Sequence, residues 1–221
     1  MTISARAYRS IRNLILTAVL SGAVVFSALS SPGARAEALS DEQTAAVGEI
    51  IHFINGFDNL QGEFTQIGPT GSVAKGIFFL SKPGRMRFEY AAPFPWLIVS
   101  DGSWVVIKNR AKDKADEFPL SQTPLRLVLG KDVNLWKETN ILAVAQADGI
   151  TTVTIEDRKA LVPGQLVLVY DSNQDTLQEW IIIDGKGRRT TVQFQNLVAG
   201  IEADPKLFKV SVKRSPDQKK N

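Results

Sequence analysis

The 221-residue sequence has no cysteine and a single histidine, His52. Without thiols there is no disulfide to staple a fold, no thiolate nucleophile and no thiolate metal ligand. A lone histidine without clustered carboxylates cannot build a zinc site. It also has no Gly-x-Ser-x-Gly elbow to activate, so His52, between Ile51 and Phe53, is expected to be structural or at the surface. "DGKGRR" (184–189) is too short for a phosphate loop and follows no βα pattern. "DSNQDT" (171–176) resembles the start of a calcium loop, yet Thr176 stands where that loop needs glycine and Ile182 where it needs glutamate. A polar hairpin turn is expected there. Glu156, Asp157 and Glu179 show no spacing that marks a glycosidase pair. The sequence offers no catalytic group and no cofactor site, and the protein is not expected to be an enzyme.

Only one long apolar run is present, Leu14 to Leu29, preceded by Arg6, Arg9 and Arg12 and followed by "SSPGARAEA". A basic segment, an apolar segment and an Ala-x-Ala site describe a cleaved secretory signal. Cleavage is expected after Ala36, with Ala38 the second choice. The run is shorter than the roughly 20 residues a spanning helix needs. Removing residues 1–36 takes four arginines, leaving 22 basic against 23 acidic residues and a net charge of −1 instead of +3. The basic isoelectric point therefore belongs largely to the signal and does not point to nucleic acid. With no cysteine for lipid attachment after the cleavage site, the product is expected to be a soluble, exported monomer. Residues 37–212 form one domain, and 213–221 form a flexible basic tail.

Ser40 and Gln43 make a capping box, and Val47, Ile50, Ile51 and Ile54 recur at helical spacing before Asn55-Gly56. Beyond this one amphipathic helix the chain is read as strands. They are Leu60–Ile67, Ser72–Ser81, Arg85–Tyr90, Trp96–Ser100, Trp104–Asn109, Ile141–Ala147, Ile150–Asp157, Gln165–Asp171, Leu177–Ile183, Arg189–Leu197 and Phe208–Lys213. Glycine, aspartate and proline turns separate them, as in an antiparallel meander. About eleven strands are too many for a flat sheet, so a barrel or half-barrel is expected. Residues 111–136 break the rhythm with a polar stretch and a short apolar helix from Pro124 to Leu129. That helix has two readings, a core plug and a mobile lid. Trp96, Trp104, Trp136 and Trp180 are assigned to core or cavity lining.

"KGIFFLSKPGRMRFEY" (75–90) carries the most information. Arg85, Arg87 and Glu89 alternate with Met86, Phe88 and Tyr90, which assigns the charged set to solvent and the apolar set to the inner face. Ile77 to Leu80 are all apolar, so the pattern alone leaves their phase open. "GEFTQ" (62–66), "GIFFLSKPGRMRFEY" (76–90), Pro93, "IVSDG" (98–102) and "DPKLF" (204–208) follow one another in the order seen in the outer-membrane lipoprotein carrier proteins, the LolA family, which this chain resembles from about Leu39 to Val212.

The resemblance implies a mainly β fold: a curved, incomplete antiparallel β-barrel of about eleven strands, with helices covering its apolar concave face. It implies a periplasmic chaperone that takes acylated lipoproteins from an inner-membrane ABC-type releasing complex and passes them to an outer-membrane receptor. On this reading Phe78, Leu80, Met86, Phe88, Tyr90, Ile98, Leu125 and Leu129 line the lipid cavity. Lys82 stands where many relatives have an arginine that latches the helices. Lysine lacks the planar fork of guanidinium, so latch and solvated turn residue are both open readings. Two other classes are a lipid-sensing domain on a related half-barrel and a periplasmic hydrolase. The first usually needs an added domain, and the second needs a nucleophile–base pair.

Overall fold

The computed structural model describes residues 38–210 apart from 113, 161 and 162; the expected signal segment and basic tail lie outside the described residues. Helix α1 (Asp41–Asn55) opens the fold. Its capping box is formed in both directions: Gln43 N–H donates to Ser40 Oγ at 3.1 Å, and Ser40 N–H donates to Gln43 Oε1 at 3.0 Å. The apolar stripe Val47, Ile50 and Ile54 is fully buried.

Among the described residues eleven strands follow. They are β1 (Asn59–Ile67), β2 (Val73–Ser81), β3 (Arg85–Tyr90), β4 (Trp96–Asp101), β5 (Trp104–Asn109) and β6 (Lys114–Pro119), then β7 (Thr139–Ala147), β8 (Ile150–Asp157), β9 (Gly164–Asp171), β10 (Thr176–Asp184) and β11 (Arg189–Ala199). Two one-turn helices, α2 (Arg126–Leu129) and α3 (Leu135–Glu138), lie between β6 and β7. All strands join one sheet in the order β6-β5-β4-β3-β2-β1-β11-β10-β9-β8-β7. Each neighbouring pair is antiparallel. The sheet has two free edges, β6 and β7, so the barrel stays open.

That order explains the helical link. A chain leaving β6 must travel to the opposite edge before β7 can begin. The link carries Leu127, Leu129 and Leu135 into the same buried cluster as Ile50 and Ile54 of α1 and Phe64, Phe78 and Phe88 of the sheet. One face of the sheet is thus covered by α1 and by the link. On the other face Leu97, Val99 and Phe208 make a second, smaller cluster with Phe79 and Leu207.

The structure corrects four expectations. Residues 208–210, where the last strand was expected to begin, are not in a strand. Pro205–Phe208 is a 3-10 turn, capped by the Asp204 side chain on Lys206 N–H, and 211–213 lie outside the described residues. Phe208 is apolar because it anchors this turn on Leu97 and Val99, not because it belongs to a ladder. The eleventh strand is instead β6, hidden in the polar stretch; it is an edge strand paired only with β5 and half exposed, so its polar residues face water. The short helix starts at Arg126 rather than Pro124, and α3 was not expected. Trp180 is buried, but Trp96, Trp104 and Trp136 are exposed: the first two are the first residues of β4 and β5, and the third lies on the one-turn helix α3.

Candidate functional site

Cross-strand pairing sets the inner face. Phe78 pairs with Phe88 and Phe88 with Ile98, while Leu80 pairs with Met86, and paired residues share a face. Phe78, Leu80, Met86, Phe88 and Tyr90 are each at most 4% exposed, whereas Ile77 on the opposite phase is 45% exposed. Leu129 is fully buried beneath the sheet, and Ile98 and Leu125 are half-buried at the fringe of the cluster.

The interior is paved with rings. Phe78 stacks on Phe88 at 5.5 Å, and Phe64 meets Phe88 and Tyr90 edge-on at 5.0 Å. Phe194 bridges Phe78 at 5.1 Å and Trp180 at 4.8 Å. Gly76 makes this possible, because a Cβ there would lie 2.6 Å from the Phe64 ring. Tyr90 turns its hydroxyl to Gln66 Oε1 at 2.6 Å; burial pushes the phenol up to about 12, so it stays a neutral donor.

Helix α1, β1, β2, β10, β11 and α2 enclose a cavity lined by Phe53, Phe57, Leu80, Val128, Trp180 and Phe194, among others. Its free volume is about 20 Å³, room for about one water. The walls are apolar side chains, and Trp180 among them carries a buried indole Nε1. Among the described residues this is the one buried side-chain nitrogen or oxygen without a hydrogen-bond partner.

The turn between β2 and β3 touches both covering helices. Lys82 Nζ donates to the carbonyl of Ile54, in the last turn of α1, where the helix dipole favours a cation. It also lies 4.3 Å from the Phe57 ring centre. Two residues on, Gly84 N–H donates to Leu129 O of α2 at 2.7 Å. Burial pulls the Lys82 ammonium down to about 8, against the opposing pull of Asp58 and Asp132. On the far side of α2, Arg126 binds Asp157 at the end of β8 through two nitrogens, with Nε–Oδ2 at 2.6 Å, and binds Glu138 of α3 at 2.6 Å. Those bonds, Asp157's first, raise the arginine above its usual range.

Sequence reasoning placed Trp180 in core or cavity lining but missed the rest of the opposite wall: Phe53, Phe57, Leu177, Phe194 and Leu197. The signal was present in the alternation of Trp180 with Ile182 and of Val192 with Phe194. Among the described residues no group of three or more His, Asp or Glu side chains could hold a metal ion, and no helix there is long and apolar enough to cross a membrane.

Fold and site define a capped half-barrel, an open antiparallel sheet with a dry inner face closed by helices. The profile of the outer membrane lipoprotein carrier protein LolA family matches residues 55–211, and the chain belongs to that family. An outer-membrane lipoprotein carrier protein of Methylococcus capsulatus is 27% identical over 181 residues, covering 78% of this chain and 86% of that one. The counterpart in Methylibium petroleiphilum is 30% identical over 176 residues, covering 74% and 83%. A solved LolA superfamily protein from Nitrosomonas europaea overlays with a TM-score of 0.42 at 11% identity, over 78% of this chain and 99% of that one.

Proposed function

We propose that this protein is a periplasmic lipoprotein carrier. It shields acyl chains between the sheet and the helices α1 and α2, collects cargo from an inner-membrane ABC-type complex, and delivers it to an outer-membrane receptor. The observation that carries the reading is a ring-paved apolar interior, with about 20 Å³ free, closed by helices rather than by the sheet itself. Transfer of a methylene from water to an apolar site is favourable by ~0.8 kcal/mol, so a multiply acylated protein leaves a bilayer far too slowly to cross water alone. A carrier must offer comparable apolar surface and must hide it when empty. The 20 Å³ cavity is the hidden state; it cannot hold a fatty acyl chain until α1 or α2 moves. The clasp residues Lys82 and Gly84 hold both helices by a few polar bonds, which are weak enough to release.

The test is release of a labelled lipoprotein from inner-membrane vesicles carrying the releasing complex, with and without the mature protein. Release into a soluble one-to-one complex supports the carrier. Binding of a fluorescent fatty acid that no lipoprotein displaces points instead to a lipid-binding domain without delivery.

A further inference from the structure

Strands β10 and β11 do not pair along their whole length. Their ladder runs from Ile183↔Arg189 to Glu179↔Gln193 and ends there. Thr176 and Leu177 pair only with β9, and Phe194, Gln195, Val198 and Ala199 only with β1. A bulge in β10 between Leu177 and Glu179 and a left-handed Asn196 (φ 53°) accompany the divergence. The splayed strands leave a groove of about 620 Å³ whose polar lining is mostly amide: Gln174, Gln178, Gln193, Gln195 and Asn196, with Glu179 as its one acidic side chain. Three of its residues, Leu177, Phe194 and Leu197, also line the apolar cavity. These three residues form a shared wall between the groove and the interior, apart from the helical cover. Trp180 lies just inside, 3% exposed, and its indole N–H has no partner.

A buried donor without an acceptor costs about 1–3 kcal/mol, and the cost is removed by a ligand that brings the acceptor. Resting on the carrier reading, we propose that this slot is the site for the polar junction of an acylated peptide. Trp180 Nε1 donates to an ester or amide carbonyl of the acyl linkage, the acyl chains lie inward of it, and the first residues of the attached peptide lie outward along the amide groove. Unpaired strand edges flank the groove and suit an extended backbone. Its neutral amides suit a peptide better than an anionic phosphate.

Three ligands discriminate: a diacylated cysteine lipopeptide followed by four serines, its dialkyl ether analogue lacking the ester carbonyls, and diacyl phosphatidylglycerol. The unaltered protein is expected to bind the ester about tenfold more tightly than the ether, as one hydrogen bond to a buried donor allows. Trp180→Phe keeps a ring in place and is expected to erase that preference. The indole N–H resonance of Trp180 is expected to move downfield with ester and not with ether. Gln193→Ala with Gln195→Ala is expected to weaken the lipopeptide about two- to tenfold and leave phosphatidylglycerol unchanged. Equal binding of ester and ether, or a preference that survives Trp180→Phe, overturns the assignment while leaving the cavity reading in place. Equal loss of lipopeptide and phosphatidylglycerol in the glutamine variant overturns the peptide groove. Failure to bind any of the three, ether included, overturns the carrier reading and this one with it.

Discussion

Lys82 shows how one side chain can be both a cost and a tie. Its neighbours Asp58 and Asp132 favour the ammonium, but burial outweighs them and the folded-state value falls to about 8 from an ordinary 10.5. Between those values the unfolded chain holds more protons than the folded one, so folding stability rises with pH across that window. Below pH 8 the lysine is charged in both states and the burial cost is fully present. By pH 9 most folded molecules have shed the proton, while the neutral amine still donates to Ile54 O. The native protein is therefore expected to gain about 1 kcal/mol relative to Lys82→Met between pH 7 and pH 9. Urea titrations of both proteins at each pH read this difference, and a constant gap would mean that the lysine is solvated. The sequence showed the lysine and the turn but not the partner. Whether a turn lysine meets water or a helix end depends on where α1 lands, some 28 residues earlier in the chain.

Element-scale behaviour depends on how α2 is tied down. One turn of helix has no intrinsic stability, so Arg126 must hold it through Asp157 and Glu138. The Asp157 side chain is 3% exposed and that of Arg126 15%, which makes an unpaired Asp157 costly. Arg126→Met is expected to destabilise by about 3 kcal/mol, the lower end of the range for breaking a buried pair because the arginine is not fully dry. Arg126→Met with Asp157→Leu is expected to recover most of that loss in thermal unfolding, short of what Asp157 contributes by accepting from Lys159 N–H at 2.7 Å. A double variant no better than the single one would show that the pair does not act as a unit. On the sheet, Ile77→Thr is expected to leave stability within about 0.5 kcal/mol, whereas Phe78→Ala is expected to cost about 3–5 kcal/mol. The Arg85–Tyr90 strand and its inward set were legible because charge alternates there. The Ile77–Leu80 phase needed the register, since an all-apolar run looks alike on both faces. β6 was illegible for the converse reason: an edge strand with one neighbour needs little apolar surface, so "KADEFP" resembles a loop.

At the scale of the molecule, the strand order makes the cover a separate layer from the sheet that it closes. Sheet residues are held by ladders on both sides, except at β6 and β7 and where β10 and β11 diverge. By contrast, α1 and α2 are held by apolar contact and by side-chain ties: the clasp at Lys82 and Gly84, Arg126 on Asp157 and Glu138, and Asn55 on Val133. Elements with fewer hydrogen-bonded neighbours open at lower free energy than the whole, so the cover should open while the sheet stays intact. Hydrogen exchange followed by mass spectrometry is expected to show α2 and the last turn of α1 exchanging well ahead of β8 and β9. Lys82→Met is expected to accelerate those two segments about three- to tenfold, as loss of one hydrogen bond to a carbonyl allows, with β8 and β9 unchanged. Acceleration of every element together would make α2 a core plug that leaves only on global unfolding. The interior, with about 20 Å³ free, would then stay too small for an acyl chain unless α1 alone moved, and a covalent tie between α2 and the β2–β3 turn should leave transfer unchanged.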